Sequence, residues 1–197
     1  MRLKLKRNWP VLVELVNYNC DMYYTGKGDN GTSELFKGKN RLSKGSQIFE
    51  VLGSLDELNS FLGLCSVEAK DYTSIFEEII IEQNNLFICQ AFFAGVKVSV
   101  PPDLVSSLEK RLGVFSSKIK PRKSFVVPGG SRLSATLDIA RTLARKTERE
   151  ALRLPLKDRL KDSENIYIYL NRLSSFFYVL ARYANDLAFE REVAPYY

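Results

Sequence analysis

The sequence predicts an all-α protein, an antiparallel five-helix bundle with an N-terminal glycine-rich loop. Apolar residues recur at helical spacing over five long stretches, and period-two alternation is almost absent. The one segment dense in Gly, Asn, Ser and Lys stands ahead of the first helical stretch.

Residues 1–21 read as an atypical N-terminal extension. Met22 stands just before the glycine loop, where a start is expected, so a single helical domain is expected over 22–197. The loop runs to about residue 45 and holds too many turn formers for a regular element. The first helix, about 46–69, carries Ile48, Leu52, Leu55 and Leu62 on one side. A second side reads Phe49, Gly53, Asp56, Ser60 and Gly63, small residues around one carboxylate. A partner helix can approach such a face closely, and Asp56 then needs a cation beside it. The second helix, about 73–94, places Ile75, Ile79, Leu86 and Phe93 at helical spacing. The third has a proline-led start at Pro101-Pro102-Asp103 and runs to about Lys118. After Pro121 an extended segment, Phe125-Val126-Val127, turns through Pro128-Gly129-Gly130 into a helix that Ser131 can cap. That fourth helix, about 131–153, has Leu133, Leu137, Ala140, Ala144 and Ala151 along one stripe. Arg141, Arg145, Glu148 and Arg149 fall together beside it. The fifth, about 163–190, begins after Asp162-Ser163 and is dense in Tyr, Phe and Leu. Its polar members Asn171, Ser174, Tyr178 and Arg182 lie at i, i+3, i+7 and i+11, a single line.

A chain of 197 residues with 45% hydrophobic content suits one compact domain. Its net charge of +6 fits either plain solubility or anion binding. The basic residues form no long block, which argues against nucleic acid as a partner. Cys20, Cys65 and Cys89 lack ligand-type spacing, and the last two sit among apolar residues, as small core residues do in a reducing cytosol. No apolar run approaches the length of a membrane span. The patch Val11, Leu12, Val13, Leu15, Val16 is too short and interrupted for a signal peptide, so a cytoplasmic protein without membrane contact is expected. Histidine is absent. That excludes a Ser-His or Cys-His nucleophile system, a His-containing zinc site and a His axial ligand.

Three polar segments carry the chemistry. In the first, Gly26, Gly28 and Gly31 allow positive φ, so that successive amides can point into one concavity and hold phosphate oxygens. Lys27 and Lys44 add charge, and Thr25 and Ser33 add hydroxyls. The spacing Gly26-x4-Gly31 resembles the start of a P-loop, yet Thr32-Ser33 replaces the Lys-Ser/Thr pair and no apolar strand precedes it. A Walker loop is therefore rejected. A flexible surface loop remains the alternative to a nucleotide-binding one. In the second segment, three arginines share about one-quarter of a helix and repel one another unless carboxylates or a bound anion compensate. Glu148 can compensate one and Asp56 another. A solvated charged face is the alternative, but arginine is the expected choice for bidentate phosphate contact. In the third, Asn171 and Ser174 interrupt an apolar helix, as a satisfied buried amide or as one that orients a ligand. Together the three ask for a polyanion, with a nucleoside triphosphate the natural candidate.

Tyr24 to Gly31, Gly53 to Asn59, Pro128 to Ser131, Arg141 to Arg149 and Leu170 to Ser174 occur in that order. With these motifs the chain resembles the PduO-type ATP:cob(I)alamin adenosyltransferases over nearly all of residues 22–190. The resemblance implies transfer of the 5′-deoxyadenosyl group of ATP to the cobalt of cob(I)alamin. It also implies a homotrimer with active sites between subunits, Mg²⁺ with the ATP, cobalamin as substrate and a handover to an adenosylcobalamin-dependent enzyme. ATP contacts would fall on Thr25, Gly26, Lys27, Gly28, Ser33, Glu34, Lys44, Arg145, Lys146, Glu148, Arg149 and Asn171. Arg141 would pair across the interface with Asp56, and Phe125 would lie against the corrin and help displace its lower axial ligand. Arg141, Arg145, Glu148 and Asp56 are the expected catalytic set, and no metal is expected on protein ligands alone. Two positions depart from the pattern. Lys146 stands where the family commonly has a second consecutive Arg, and Ser175 where an Asp usually follows Leu-Asn-Arg-Leu-Ser. These departures leave a second reading open, a non-catalytic carrier bundle for ATP or cobalamin.

Overall fold

The computed structural model describes residues 24–36, 40–122, 124–155 and 164–196. The expectations for residues 1–21, including Cys20, and for the Asp162-Ser163 helix start lie outside the described residues. Among those described there are five helices: α1 (Gln47–Glu68), α2 (Thr73–Phe93), α3 (Leu104–Ser116), α4 (Arg132–Leu152) and α5 (Glu164–Leu187). The glycine loop holds a small antiparallel ribbon, β1 (Thr32–Ser33) against β2 (Leu42–Ser43), with Thr32 opposite Ser43.

α4 lies between α1 and α5, with α2 packed on α1 and α3 on α5. The placement follows from the small-residue stripe of α4. Ala140, Ala144 and Ala151 are fully buried, and their short side chains let two helices approach at once. Cross-links show the direction. Thr147 Oγ1 donates to Ser54 O at 3.0 Å near one end of the α1–α4 pair, and Arg132 meets Glu68 at 3.0 Å at the other. That pair is antiparallel, as is α4–α5, where Glu148 meets Asn171 and Ser131 meets Asn185. Near the end of α1, Gln47 Nε2 donates to the carbonyl and the carboxylate of Glu150 at 2.8 and 3.0 Å. That hydrogen bond holds the Glu150 carboxyl below its ordinary value, with help from Arg153.

α5 supplies the centre of the core. Tyr169, Phe176 and Phe177 are fully buried, each contributing about 2 kcal/mol. One carboxylate, Glu82 on α2, is fully buried beside Tyr169 and ion-paired. It accepts from Tyr169 Oη at 2.5 Å and Asn85 Nδ2 at 3.2 Å, and pairs with Arg111 at 2.6 Å. Arg111 also meets Glu78 and lies 5.2 Å over the Phe176 ring. Cys65 and Cys89 are buried and free.

Two element expectations shift. The prolines 101 and 102 precede the cap of α3 rather than opening it, because Asp103 is its N-cap residue. α5 ends at Leu187 instead of 190, where the chain leaves the helix through Phe189 at φ 55.

Candidate active site

The site begins at the turn between the extended segment and α4. Ser131 caps α4 as expected, its Oγ accepting from Ser134 N at 3.1 Å. Gly129 and Gly130 take φ of 136° and 97°, which favours glycine at both. A Cβ on Gly130 would also sit 2.4 Å from Asn185 Oδ1. That buried amide on α5 holds the turn from both ends. Its oxygen accepts from Ser131 N at 3.0 Å and its nitrogen donates to Gly129 O at 3.0 Å.

Two turns into α4, Asp138 is 4% exposed and shared by two arginines. Arg141 Nε donates to its Oδ1 at 3.2 Å, and Arg182 from α5 donates to its Oδ2. Arg182 is 1% exposed, also meets Glu192 at 3.2 Å, and stacks 5.2 Å from the Tyr178 ring. Glu192 in turn meets Arg122 at 2.7 Å, and Arg122 meets Asp186 at 3.1 Å. Three cations and three anions thus alternate behind a cleft of about 840 Å³. Its walls include Arg141, Arg145 and Ser174 on one side and Phe125, Val126 and Pro128 on another. Phe125 is 78% exposed and faces this space. Ser175, the second departure, also lines it.

Beyond the cleft the arginine face divides into committed and uncommitted charges. Lys146 Nζ meets Glu57 at 2.5 Å. Arg145 and Arg149 are exposed, and no carboxylate lies within ion-pair distance of either among the described residues. Glu148 does not compensate an arginine. It accepts from Asn171 Nδ2 at 2.6 Å, and Asn171 Oδ1 accepts from Arg172 at 2.9 Å. Asn171 is an exposed amide on this face, so the buried-amide alternative does not hold for it.

The glycine loop is built differently from the expectation in one respect. Gly26 and Gly31 take φ of 67° and 75°, but Gly28 does not take a positive value. A Cβ on Gly28 would lie 2.8 Å from Lys44 Nζ, the flexible end of a side chain that can swing aside. Thr25 Oγ1 accepts from Lys27 N at 3.4 Å, Ser33 sits half-buried in β1, and Glu34 is exposed. Arg41 cross-braces the loop, donating to Lys27 O at 2.5 Å, Thr32 O at 2.9 Å and Thr32 Oγ1 at 2.8 Å. The loop is moored to the end of α2 by Phe36 N donating to Ala94 O at 3.2 Å. Among the described residues no hydrogen bond joins it to the arginine face of the same chain.

Asp56 is exposed, as are Gly53 and Ser60, and among the described residues no cation pairs with it, so this face of α1 is uncovered in the single chain. Arg141 takes Asp138 as its partner within the chain. Sequence reasoning missed Asp138, Arg122, Asn185, Glu192 and Arg41. The adjacency of Asp138 to Arg141 on one helix, at i,i+3, was the one signal available.

Fold and cleft together define an all-α bundle whose cleft sets arginines beside an apolar wall. A family model described as cobalamin adenosyltransferase matches residues 23–184. The corrinoid adenosyltransferase of Bacillus subtilis (strain 168) is 34% identical over 181 residues, covering 85% of this chain and 92% of that protein. Corrinoid adenosyltransferase PduO of Salmonella typhimurium is 34% identical over 187 residues, covering 88% of this chain and 54% of that longer protein. A solved variant of the PduO-type ATP:corrinoid adenosyltransferase from Lactobacillus reuteri, complexed with cobalamin and ATP, has a TM-score of 0.78. It is 27% identical and covers 88% of this chain and 96% of that one. The chain belongs to the cobalamin adenosyltransferase family.

Proposed function

We propose that this chain transfers the 5′-deoxyadenosyl group of ATP to the cobalt of cob(I)alamin, releasing triphosphate and forming adenosylcobalamin. The observation that carries the reading is the cleft, which sets Arg141 and Arg145 against an apolar wall of Phe125, Val126 and Pro128. The cations suit a triphosphate, and the wall suits one face of a corrin ring. The cobalt of cob(I)alamin is itself the nucleophile, so the protein needs no base or nucleophile of its own. Its work is to hold the 5′-carbon near the cobalt and to stabilise charge on the departing triphosphate. Uncommitted Arg145 and Arg149 fit the second task, with Lys27 and Lys44 of the loop. Lys146, tied to Glu57, would act as a point charge and not as a bidentate fork. Phe125, projecting into the cleft, would press on the corrin where the lower axial ligand must leave.

Among the described residues no three metal-ligating side chains stand together. Magnesium therefore fits as the companion of ATP, with phosphate oxygens as its main ligands and Glu148 as the carboxylate on that face. It would neutralise charge on the leaving group.

The assembly we propose is a homotrimer in the cytoplasm, with ATP held between the loop of one subunit and the arginine face of the next. Three features support it. The loop makes no hydrogen bond to its own arginine face among the described residues, the α1 face around Asp56 is bare, and Leu64, Val67, Phe87 and Ile139 are exposed. Asp56 would then meet the neighbour's Arg141. The product would pass to an adenosylcobalamin-dependent enzyme. An anaerobic assay with chemically reduced cobalamin and Mg-ATP tests the activity, following the visible spectrum and released triphosphate. Stoichiometric conversion is expected. ATP binding without conversion would replace the reading by that of a carrier.

A further inference from the structure

The cleft wall that carries Phe125 is an irregular segment, neither helix nor strand over residues 124–128. Arg122, Ser124, Phe125 and Val126 line the main cleft of about 840 Å³, and the same four residues line a second cavity of about 560 Å³. The segment is a thin partition between two solvent spaces, so packing alone does not fix its position. Two attachments flank Phe125. At one end Arg122 is paired with Glu192 at 2.7 Å and Asp186 at 3.1 Å, and at the other Val127 N donates to Val193 O at 2.8 Å. Both ends are therefore held by the segment that follows α5.

We infer that Glu192 is a positioning residue for the corrin side of the cleft, clasping the Phe125 partition to the buried Arg182–Asp138 pair. Its side chain is only 7% exposed although its chain neighbours Arg191 and Val193 are exposed. It is turned inward against two guanidinium groups and an amide, ion-paired with Arg122 at 2.7 Å and Arg182 at 3.2 Å and accepting a hydrogen bond from Asn185 Nδ2 at 3.3 Å. One carboxylate oxygen meets Arg122, which sets the partition. The other meets Arg182, whose second anion is Asp138, and Asp138 orients Arg141 in the cleft. Without Glu192, Arg182 keeps Asp138 as its sole anion among the described residues, and Arg122 keeps only Asp186. The Arg122 anchor of the partition is left with one carboxylate instead of two, and Asp138 is drawn toward Arg182. A buried carboxylate with this geometry acts unequally on the two substrates: the Phe125 wall is one contact away through Arg122, Arg141 is reached only through Arg182 and Asp138, and Arg145 and Arg149 do not touch it.

The inference rests on the adenosyltransferase reading, and the test separates the two. Glu192→Gln keeps the volume and removes the charge. It is expected to raise KM for cob(I)alamin about tenfold while KM for ATP changes less than twofold, with Glu192→Asp recovering part of the loss. The double variant Glu192→Gln, Arg122→Gln is expected to lose less than the product of the two single losses, since the two residues share one contact. Hydrogen exchange at the Val127 amide reports the clasp without turnover and is expected to quicken in Glu192→Gln at unchanged global melting temperature. An active wild type with equal KM shifts for both substrates, or with no shift, overturns the inference and leaves the activity standing. An inactive wild type sinks the activity, and Val127 exchange still decides the clasp: unaltered protection in Glu192→Gln overturns it.

Discussion

Arg145 and Arg149 are set apart by their lack of partners. Along one helix face Arg141 is held by Asp138, Lys146 by Glu57 and Arg153 by Glu150, while these two have no carboxylate at ion-pair distance among the described residues. Like charges left this close favour an anion that joins them. Arg145→Ala is therefore expected to lower kcat/KM for ATP by about 10²–10³-fold. Because the side chain makes no hydrogen bond or ion pair among the described residues, the melting temperature should stay as in the wild type. Initial-rate kinetics with a parallel thermal melt check both halves. At this scale the sequence told which residues share a face but not which atoms meet. A helical wheel places Glu148 among the arginines, yet its carboxylate reaches α5 and takes the Asn171 amide. Asp56 was legible as a lone carboxylate among small residues. Its exposure was not, because burial depends on what lies opposite, and none of the described residues covers it.

Elements were easier to read than residues where they were long. The apolar stripes of α2 and α4 named in the sequence are buried at every position, because a 3.6-residue period over six turns admits no other register. The ribbon of Thr32–Ser33 and Leu42–Ser43 was invisible, since two-residue strands carry no periodicity. The Pro-Gly-Gly turn was legible as a turn and as a cap, but its dependence on Asn185 spans more than fifty residues and leaves no local trace. That dependence makes Gly130→Ala costly. The residue combines φ of 97° with a Cβ position 2.4 Å from Asn185 Oδ1, so backbone strain and displacement of the amide act together. A loss of about 1–3 kcal/mol is expected, read from urea unfolding midpoints, whereas Gly113→Ala on α3, with open space at its Cβ, should cost nothing.

For the whole molecule, the buried acids of the core set an alkaline limit. Burial, partly offset by a Thr136 hydrogen bond, pushes the Cys65 thiol from 9.0 to about 11, and burial also raises Cys89 and Tyr169. A folded value above the unfolded one gives stability that is complete below pH 9 and lost as pH rises through about 11. For Cys65 this amounts to about 3 kcal/mol. Cys65→Ala should therefore lose less stability than the wild type between pH 8 and 11, in urea titrations at each pH. The order of helices, α2–α1–α4–α5–α3, lay beyond the sequence, as did the role of the chain after α5, because both rest on contacts between distant segments. A last consequence follows from Arg41. Its guanidinium ties Lys27 to Thr32 across the glycine loop. Ordering a residue's backbone costs roughly 1–2 kcal/mol in entropy. Here three hydrogen bonds from one side chain offset part of that cost between Lys27 and Thr32, so the shape of this stretch is a property of the fold itself.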